Sequence, residues 1–408
     1  MHIFQREQDG RFVGVSRTLL EDFCAASLLS LSVIAWASTT KETYALFGFI
    51  RNFLFTPVAV AAIFFLCWKQ FSKAAFYAAT VLFFITAYAT VRGVLESGSA
   101  DIFLSGLDFF LAMNLALILF FGSVSHEFFS DRALKFFIVV VLCVALSSIV
   151  FGGLQLSFPP RFVLEASVFG TDSDLAYSQG GSKFYGLAAI AASLLGKKSI
   201  AAVRWFYLVL VGLFLLLCAV GGGRGEFAAV FFVVFAIHGR LGLSVLLILL
   251  GLTVFSFAFL SSFFEQFFIF ERFLGFQYSL GLRDVLFADA VRLLGNEPGC
   301  FTFGCGVGYF QQYYGYPASL YPHNLVLELF IVIGVFASIL VFVLAAAGVF
   351  WFEKVSSVSN VNAYWIFCFF LLIGLKSGAV LTSWFFTAPL IFFVGCAFCF
   401  LRAGKLKR

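Results

Sequence analysis

The stretch YPHNLVLELFIVIG, Tyr321 to Gly334, opens an apolar run that continues to about residue 350, with Glu328 the one charged side chain inside it. A run of this length and polarity crosses a hydrocarbon core of ~30 Å as a helix. It is one of many. Apolar segments recur at about 18–38, 53–68, 72–91, 103–124, 134–157, 184–195, 203–220, 226–238, 241–260, 323–350, 362–376 and 384–401. The 408 residues are 62% hydrophobic and only 12% charged, a composition no soluble domain can bury. The sequence therefore predicts an all-α polytopic membrane protein with about twelve transmembrane helices. The opening MHIFQREQDGRFVGVSR is polar and leads straight into the first span, so no cleavable signal is expected.

The net charge of +5 matters through its placement. With the N-terminus in the cytoplasm, Arg6, Arg11, Arg17, Lys69, Lys73, Lys197, Lys198, Arg204, Arg240 and the tail from Arg402 to Arg408 share one face. Both termini are then cytoplasmic, the charge serves orientation, and no nucleic-acid partner is expected. Three regions follow: residues 1–260 with nine spans and an outer loop near 158–183, a long outer loop at 261–322, and three spans in 323–408. Long outer loops of this kind serve as lids or binding elements. Most cysteines fall in apolar runs and act as small hydrophobes. Cys300 and Cys305 lie in the long loop and could pair in an oxidising compartment.

Of the four histidines, His2, His126 and His238 fall on the cytoplasmic side, leaving His323 as the one facing outward. A His/Cys metal cluster is not expected there, since its ligands come in threes and fours. His323 follows Pro322 at a helix start, where the helix dipole favours a neutral ring able to accept a proton. The plainer alternative is an interfacial histidine beside Asn324, which satisfies the helix end. Glu328 is an ionisable group within a span and could orient that turn or pair with an arginine.

A second cluster is CAVGGGRGEFAAVFF, Cys218 to Phe232. Gly223 and Gly225 flank Arg224 at the start of a short helix. Backbone amides beside a guanidinium make an anion site, phosphate especially; a hairpin turn with a snorkelling arginine explains the same residues. The third lies in the long loop, where apolar residues from Leu282 to Leu294 recur at helical spacing and Arg283 begins an amphipathic helix that could lie on the membrane surface. Arg292 is a second cation on that helix, and Arg272 precedes it. GCGVG, Gly304 to Gly308, is not a dinucleotide fingerprint. The tyrosines after it, including Tyr321, suit either stacking on sugar rings or an interfacial belt.

The order GGGRGE, then a long loop with GLRDVLFADAVRLLGNEPGCFTFGCGVGYF, then PHNLVLELFIVIG resembles the O-antigen ligase/polymerase superfamily of bacterial membrane glycosyltransferases over roughly residues 180–400. The resemblance implies a GT-C-like helical fold in the inner membrane with a periplasmic site. It implies an undecaprenyl-diphosphate-linked oligosaccharide as donor, membrane lipid around the site, no cofactor and no metal. His323 would activate the acceptor hydroxyl, and Arg224 and Arg283 would hold the diphosphate. Gly223, Gly225, Arg272, Arg292, Tyr321, Asn324 and Glu328 would line the substrate. A chain-length regulator is the protein partner implied. Ligases of that family usually carry Gly, Thr or Tyr five residues past the motif's glycine; Ile339 stands here, which favours a polymerase. A ligase, and from another class a lipid-linked glycan flippase, are the alternatives. The inverted halves of many transporters are not visible.

Overall fold

A computed structural model of the chain describes residues 129–151, 154–157, 161–164, 176–177, 179–221, 223–239, 281–317, 320–355 and 361–377. It also describes 46–58, position 244 and scattered positions within 22–37, 80–96 and 392–397. These residues fall into two compact units, Thr18–Ala62 with Phe128–Ser279, and Met1–Arg17 with Ile63–Glu127 and Leu280–Arg408.

In the first unit, α1 (Asp131–Val150) begins where the Ser130 hydroxyl accepts from the Ala133 amide at 3.1 Å and donates to Asp22 at 2.5 Å. Three short strands follow, β1 (Leu154–Ser157), β2 (Arg161–Leu164) and β3 (Ala176–Tyr177). They form an antiparallel sheet in register Leu154 to Leu164 and Val163 to Tyr177. Then come α2 (Gln179–Lys198), α3 (Ala201–Val220) and α4 (Arg224–Ile237). The middle of α2, Gly186 to Ser193, is rich in alanine, and Ala188 to Ala192 are wholly buried. Small side chains let neighbouring helices approach closely, and α2 packs against α1, α3 and α4. Its last turn meets the end of α4, where the Lys197 ammonium donates to the Ile237 carbonyl at 2.5 Å and Ser193 lies 3.1 Å from the His238 ring. The basic ends of α2 and α3 thus share one end of the unit, and the glycines after α3 share the other.

In the second unit, α5 (Gly281–Asn296), α6 (Pro298–Phe303) and α7 (Tyr309–Tyr314) come from the long loop. They lead into α8 (Leu325–Val355) and α9 (Val361–Ser377). The amphipathic expectation for α5 holds, with Leu286, Ala290 and Leu293 buried along one stripe. That stripe packs against Phe310 and Ile331, while Val285, Phe287 and Val291 of the same helix stay exposed.

Among the described residues, three helices, Asp131–Val150, Ala201–Val220 and Leu325–Phe350, are long and apolar enough to cross a membrane. Exposed stripes at helical spacing run along two of them: Trp205, Val209 and Leu216 on α3, and Phe336, Leu340 and Val343 on α8. Such stripes suit a lipid solvent and no aqueous one. The chain is a predominantly helical membrane protein. Among the described residues, the departure from an all-helical plan is the sheet, which occupies the end of the expected 134–157 span and, within the 158–183 loop, residues 161–164 and 176–177. The expected spans at 18–38, 53–68, 72–91, 103–124, 241–260 and 384–401 lie mostly outside the described residues.

Candidate functional site at a broken helix

The chain returns to α8 through Tyr321, Pro322, His323 and Asn324. The Asn324 side-chain oxygen accepts from the Val326 and Leu327 amides at 3.0 and 3.1 Å, which makes Asn324 the N-cap. His323 therefore stands outside the helix, one position before the cap. This corrects the expectation that it sits in the first turn. The physical reason is that Asn324 claims the free amides, so helical backbone begins at Leu325. The cap requires the chain to arrive from the side, and His323 supplies that turn with φ +52°, the one non-glycine residue in left-handed backbone among those described. A side chain held there costs on the order of 1–3 kcal/mol, and such positions concentrate at functional sites. Its ring lies 3.9 Å from the Tyr321 ring, centroid to centroid, and Nδ1 is buried. Glu328 is one turn further in, half-buried, with its amide donating to the Asn324 carbonyl at 3.0 Å.

Helix α8 is not continuous. Gly334 has φ +82° and ψ 164°, which ends a first half-helix at Ile333 and begins a second. A break frees backbone carbonyls that must find partners inside a membrane protein. The Cys305 amide donates to the Ile331 carbonyl at 2.7 Å and the Gly306 amide to the Val332 carbonyl at 3.2 Å. GCGVG is thus the piece that fills the break. Its glycines are needed for approach: a Cβ on Gly304 would stand 2.6 Å from the Val332 oxygen and 2.7 Å from the Gly334 nitrogen. A Cβ on Gly334 would collide with the Thr302 carbonyl in return. On its outer side the same turn meets the helical residues at 87–93, where the Val307 amide donates to the Ala89 carbonyl at 3.1 Å and the Tyr88 hydroxyl to the Phe303 carbonyl at 3.0 Å. Ala89 in turn shares a buried cluster with Leu325, Leu329, Val332 and Ile333. Cys300 and Cys305 are joined as a disulfide with Cα atoms 4.7 Å apart, closing α6 against this turn.

The arginines of α5 separate. Arg283 lies in its first turn, and Leu286, one turn on, packs against the half-helix through Ile331; the Arg283 side chain is outside the described set. Arg292 is largely exposed, 3.4 Å from the buried Asp289 carboxylate. Asp289 is a site residue that sequence reasoning passed over. It accepts from the Tyr316 hydroxyl at 2.7 Å, while its backbone carbonyl accepts from Tyr314 at 2.8 Å. That hydrogen bond holds the Tyr316 hydroxyl above its ordinary pKa, with burial adding. Burial first, then the Asp289 charge, raises Tyr314. The tyrosines that could have formed a sugar platform are therefore partly used in fastening α7 to α5. Arg272 lies outside the described residues.

The GGGRG cluster belongs to the other unit. Gly223 is the N-cap of α4, followed by Arg224, whose side chain is outside the described set, and Gly225. The Ser182 hydroxyl donates to the Cys218 carbonyl at 3.2 Å and accepts from the Gly223 amide at 3.2 Å, which fixes the start of α2 against this turn. Glu226 is buried, and its Oε2 would lie 2.7 Å from a Cβ on Gly223. A carboxylate is thus already folded back on this helix N-terminus, so an anion held here depends on side-chain cations rather than on the helix dipole alone. Comparison with known proteins returns no match, either to a protein-family model or to a curated protein.

Proposed function

We propose that this protein is a membrane-embedded glycosyltransferase that joins undecaprenyl-diphosphate-linked oligosaccharide repeat units, an O-antigen polymerase. The observation that carries the reading is His323, held in left-handed backbone at the head of a half-helix, with its ring against Tyr321. Nδ1 is buried, and in this reading Nε2 is the atom that meets an acceptor sugar hydroxyl. In the proposed reaction Nε2 takes the hydroxyl proton, the hydroxyl oxygen bonds to the anomeric carbon, and the anomeric carbon–phosphate oxygen bond breaks. The undecaprenyl diphosphate leaves with the electron pair, its charge met by Arg283, which belongs to the same unit as His323. The site faces the periplasm in this reading, and the inner membrane holds the chain with both termini cytoplasmic. The Cys300–Cys305 disulfide supports that placement, because such bonds persist in oxidising compartments.

The test is His323→Ala in purified protein supplied with lipid-linked repeat units. Carrier-lipid binding should persist while polymer formation falls by about 100- to 10,000-fold, the usual reach of general acid–base catalysis. Undiminished polymer formation refutes the assignment. The lipopolysaccharide of a deletion strain separates the acceptors: a core bearing one repeat unit supports a polymerase, and a bare core with long glycan on carrier lipid indicates a ligase. Loss of substrate movement across vesicles, with no bond formed by the intact protein, indicates a flippase.

A further inference from the structure

The break in α8 is filled by main chain from a distant part of the same unit, and that part is cross-linked. Counting from the disulfide, Cys305 bonds the Ile331 carbonyl, Gly306 bonds the Val332 carbonyl, and Val307 bonds Ala89. The half-helix between the break and His323 spans only Leu325 to Ile333. A helix so short does not hold itself together in isolation, so its direction depends on what grips its two ends. Asn324 grips one and the Cys305–Gly306 backbone grips the other.

We propose that the Cys300–Val307 turn is a splint whose seating on the Gly334 break positions His323, and that the Cys300–Cys305 disulfide keeps it seated. Cys300, Cys305, Gly304 and Gly306 are then positioning residues, acting on the reaction through the half-helix. Two features make the seating all-or-none. Gly304 and Gly334 meet backbone to backbone, with no room for a side chain on either. Gly306 meets Gly93 in the same way on the outer side. A loop that slides to a neighbouring register drives a side chain into the close approaches that Gly304 and Gly306 now make. The disulfide closes a span of five residues and restricts the turn to the shape that reaches both carbonyls. A dithiol reductant opens it by thiol exchange: the sulfur–sulfur bond breaks, Cys300 and Cys305 become thiols, and the dithiol supplies both electrons and both protons as it closes to its own cyclic disulfide. The activity then follows the redox poise of the compartment facing the loop.

This inference rests on His323 being the base, so the experiment reads the splint separately from the reaction. Protein in lipid nanodiscs is compared oxidised, dithiol-treated and reoxidised, beside the double variant Cys300→Ser/Cys305→Ser, Gly304→Ala and the control Gly299→Ala. Alkylation with mass measurement confirms the state of the two sulfurs. Hydrogen exchange of peptides covering 304–307 and 325–338 should rise in the reduced protein, the double variant and Gly304→Ala, while peptides within 286–294 hold. Gly299→Ala should match the parent, since a Cβ there meets nothing within 4 Å. Turnover should fall by up to about 100-fold, the scale of an ångström's misplacement of a reacting group, with KM for the donor held and reoxidation restoring kcat. Unchanged exchange at 325–338 in both the double variant and Gly304→Ala overturns the splint. Raised exchange with unchanged kcat overturns its positioning role. If the oxidised parent makes no polymer at all, the polymerase reading fails while the exchange result still decides the splint.

Discussion

Asn324 gives the sharpest separation of structural from chemical roles at the site, because its two substitutions, to alanine and to aspartate, pull in different directions. Its side-chain oxygen satisfies the Val326 and Leu327 amides, both part-buried. Asn324→Ala removes that acceptor and costs about 0.5–2 kcal/mol. At about 1.4 kcal/mol the frayed population of the Leu325–Ile333 half-helix rises roughly tenfold, and amide exchange at 326–328 should accelerate by the same factor. Asn324→Asp keeps the acceptor and adds a charge that the helix N-terminus favours, so exchange should stay at the parental rate. The added carboxylate also repels an anionic donor. At roughly 8 Å and an effective dielectric near 20, that repulsion is about 2 kcal/mol, or roughly 30-fold in donor affinity. The assay pairs hydrogen exchange with KM for lipid-linked repeat units. The expected pattern is exchange altered in the alanine variant, KM altered in the aspartate variant. If Asn324→Asp binds donor as well as the parent, no diphosphate approaches this helix start and the site assignment fails. If Asn324→Ala leaves exchange untouched, the cap is not what holds the half-helix.

Ser182→Ala should destabilise the first unit by about 1–3 kcal/mol, because the buried Gly223 amide loses its acceptor; a lowered thermal midpoint in detergent checks it, and an unchanged midpoint refutes it. Tyr316 titrates above its ordinary range because the neutral hydroxyl donates to Asp289. The sign follows: the stabilisation is fully present below the ordinary tyrosine pKa and is lost as pH rises through the raised value. Tyr316→Phe should therefore remove part of the alkaline absorbance change at the high-pH end and weaken the fastening of α7, seen as faster proteolysis of the loop. A loss confined to the ordinary tyrosine range would contradict the hydrogen bond.

What could be read from the sequence divides along the kind of interaction involved. Apolar periodicity located α5 and α3 closely, because burial along one stripe or exposure to lipid leaves a residue-by-residue trace. The short α4 was legible for the same reason, since its apolar run simply ends at His238. The strands Arg161–Leu164 and Ala176–Tyr177 were not legible, because they are too short for an alternating pattern to register. The cap was half legible: Asn324 was recognised as a helix end, but counting from Pro322 put His323 inside the first turn, when it stands two positions before the first helical residue. The break at Gly334 left only a glycine in an apolar run, which is unremarkable in a membrane helix. Its partner GCGVG carries, apart from the Cys305 sulfur, no side-chain chemistry. Backbone-to-backbone contacts over a long separation leave glycines behind and nothing that says where they go.

The broken helix itself bears on the transporter alternative, since discontinuous helices are a hallmark of secondary transporters. There the unwound backbone is left open, so that carbonyls and half-helix ends coordinate the cargo. Here the Ile331 and Val332 carbonyls accept from Cys305 and Gly306, and the Ser338 hydroxyl donates to the Gly334 carbonyl at 2.7 Å. Those oxygens are engaged by protein, and a Cβ-sized space is lacking at both Gly304 and Gly334. An ion or sugar entering the break would have to displace two backbone hydrogen bonds before making its first contact. The titratable ring lies instead at the other end of the half-helix, where His323 stands against Tyr321. Under the proposed function the broken helix sets the angle of the His323 ring, and that has a direct consequence. Gly334→Ala should slow turnover by misdirecting His323 while leaving donor binding intact, whereas in a transporter the same substitution would abolish cargo binding at the break; equilibrium binding of lipid-linked repeat units to the Gly334→Ala protein distinguishes the two.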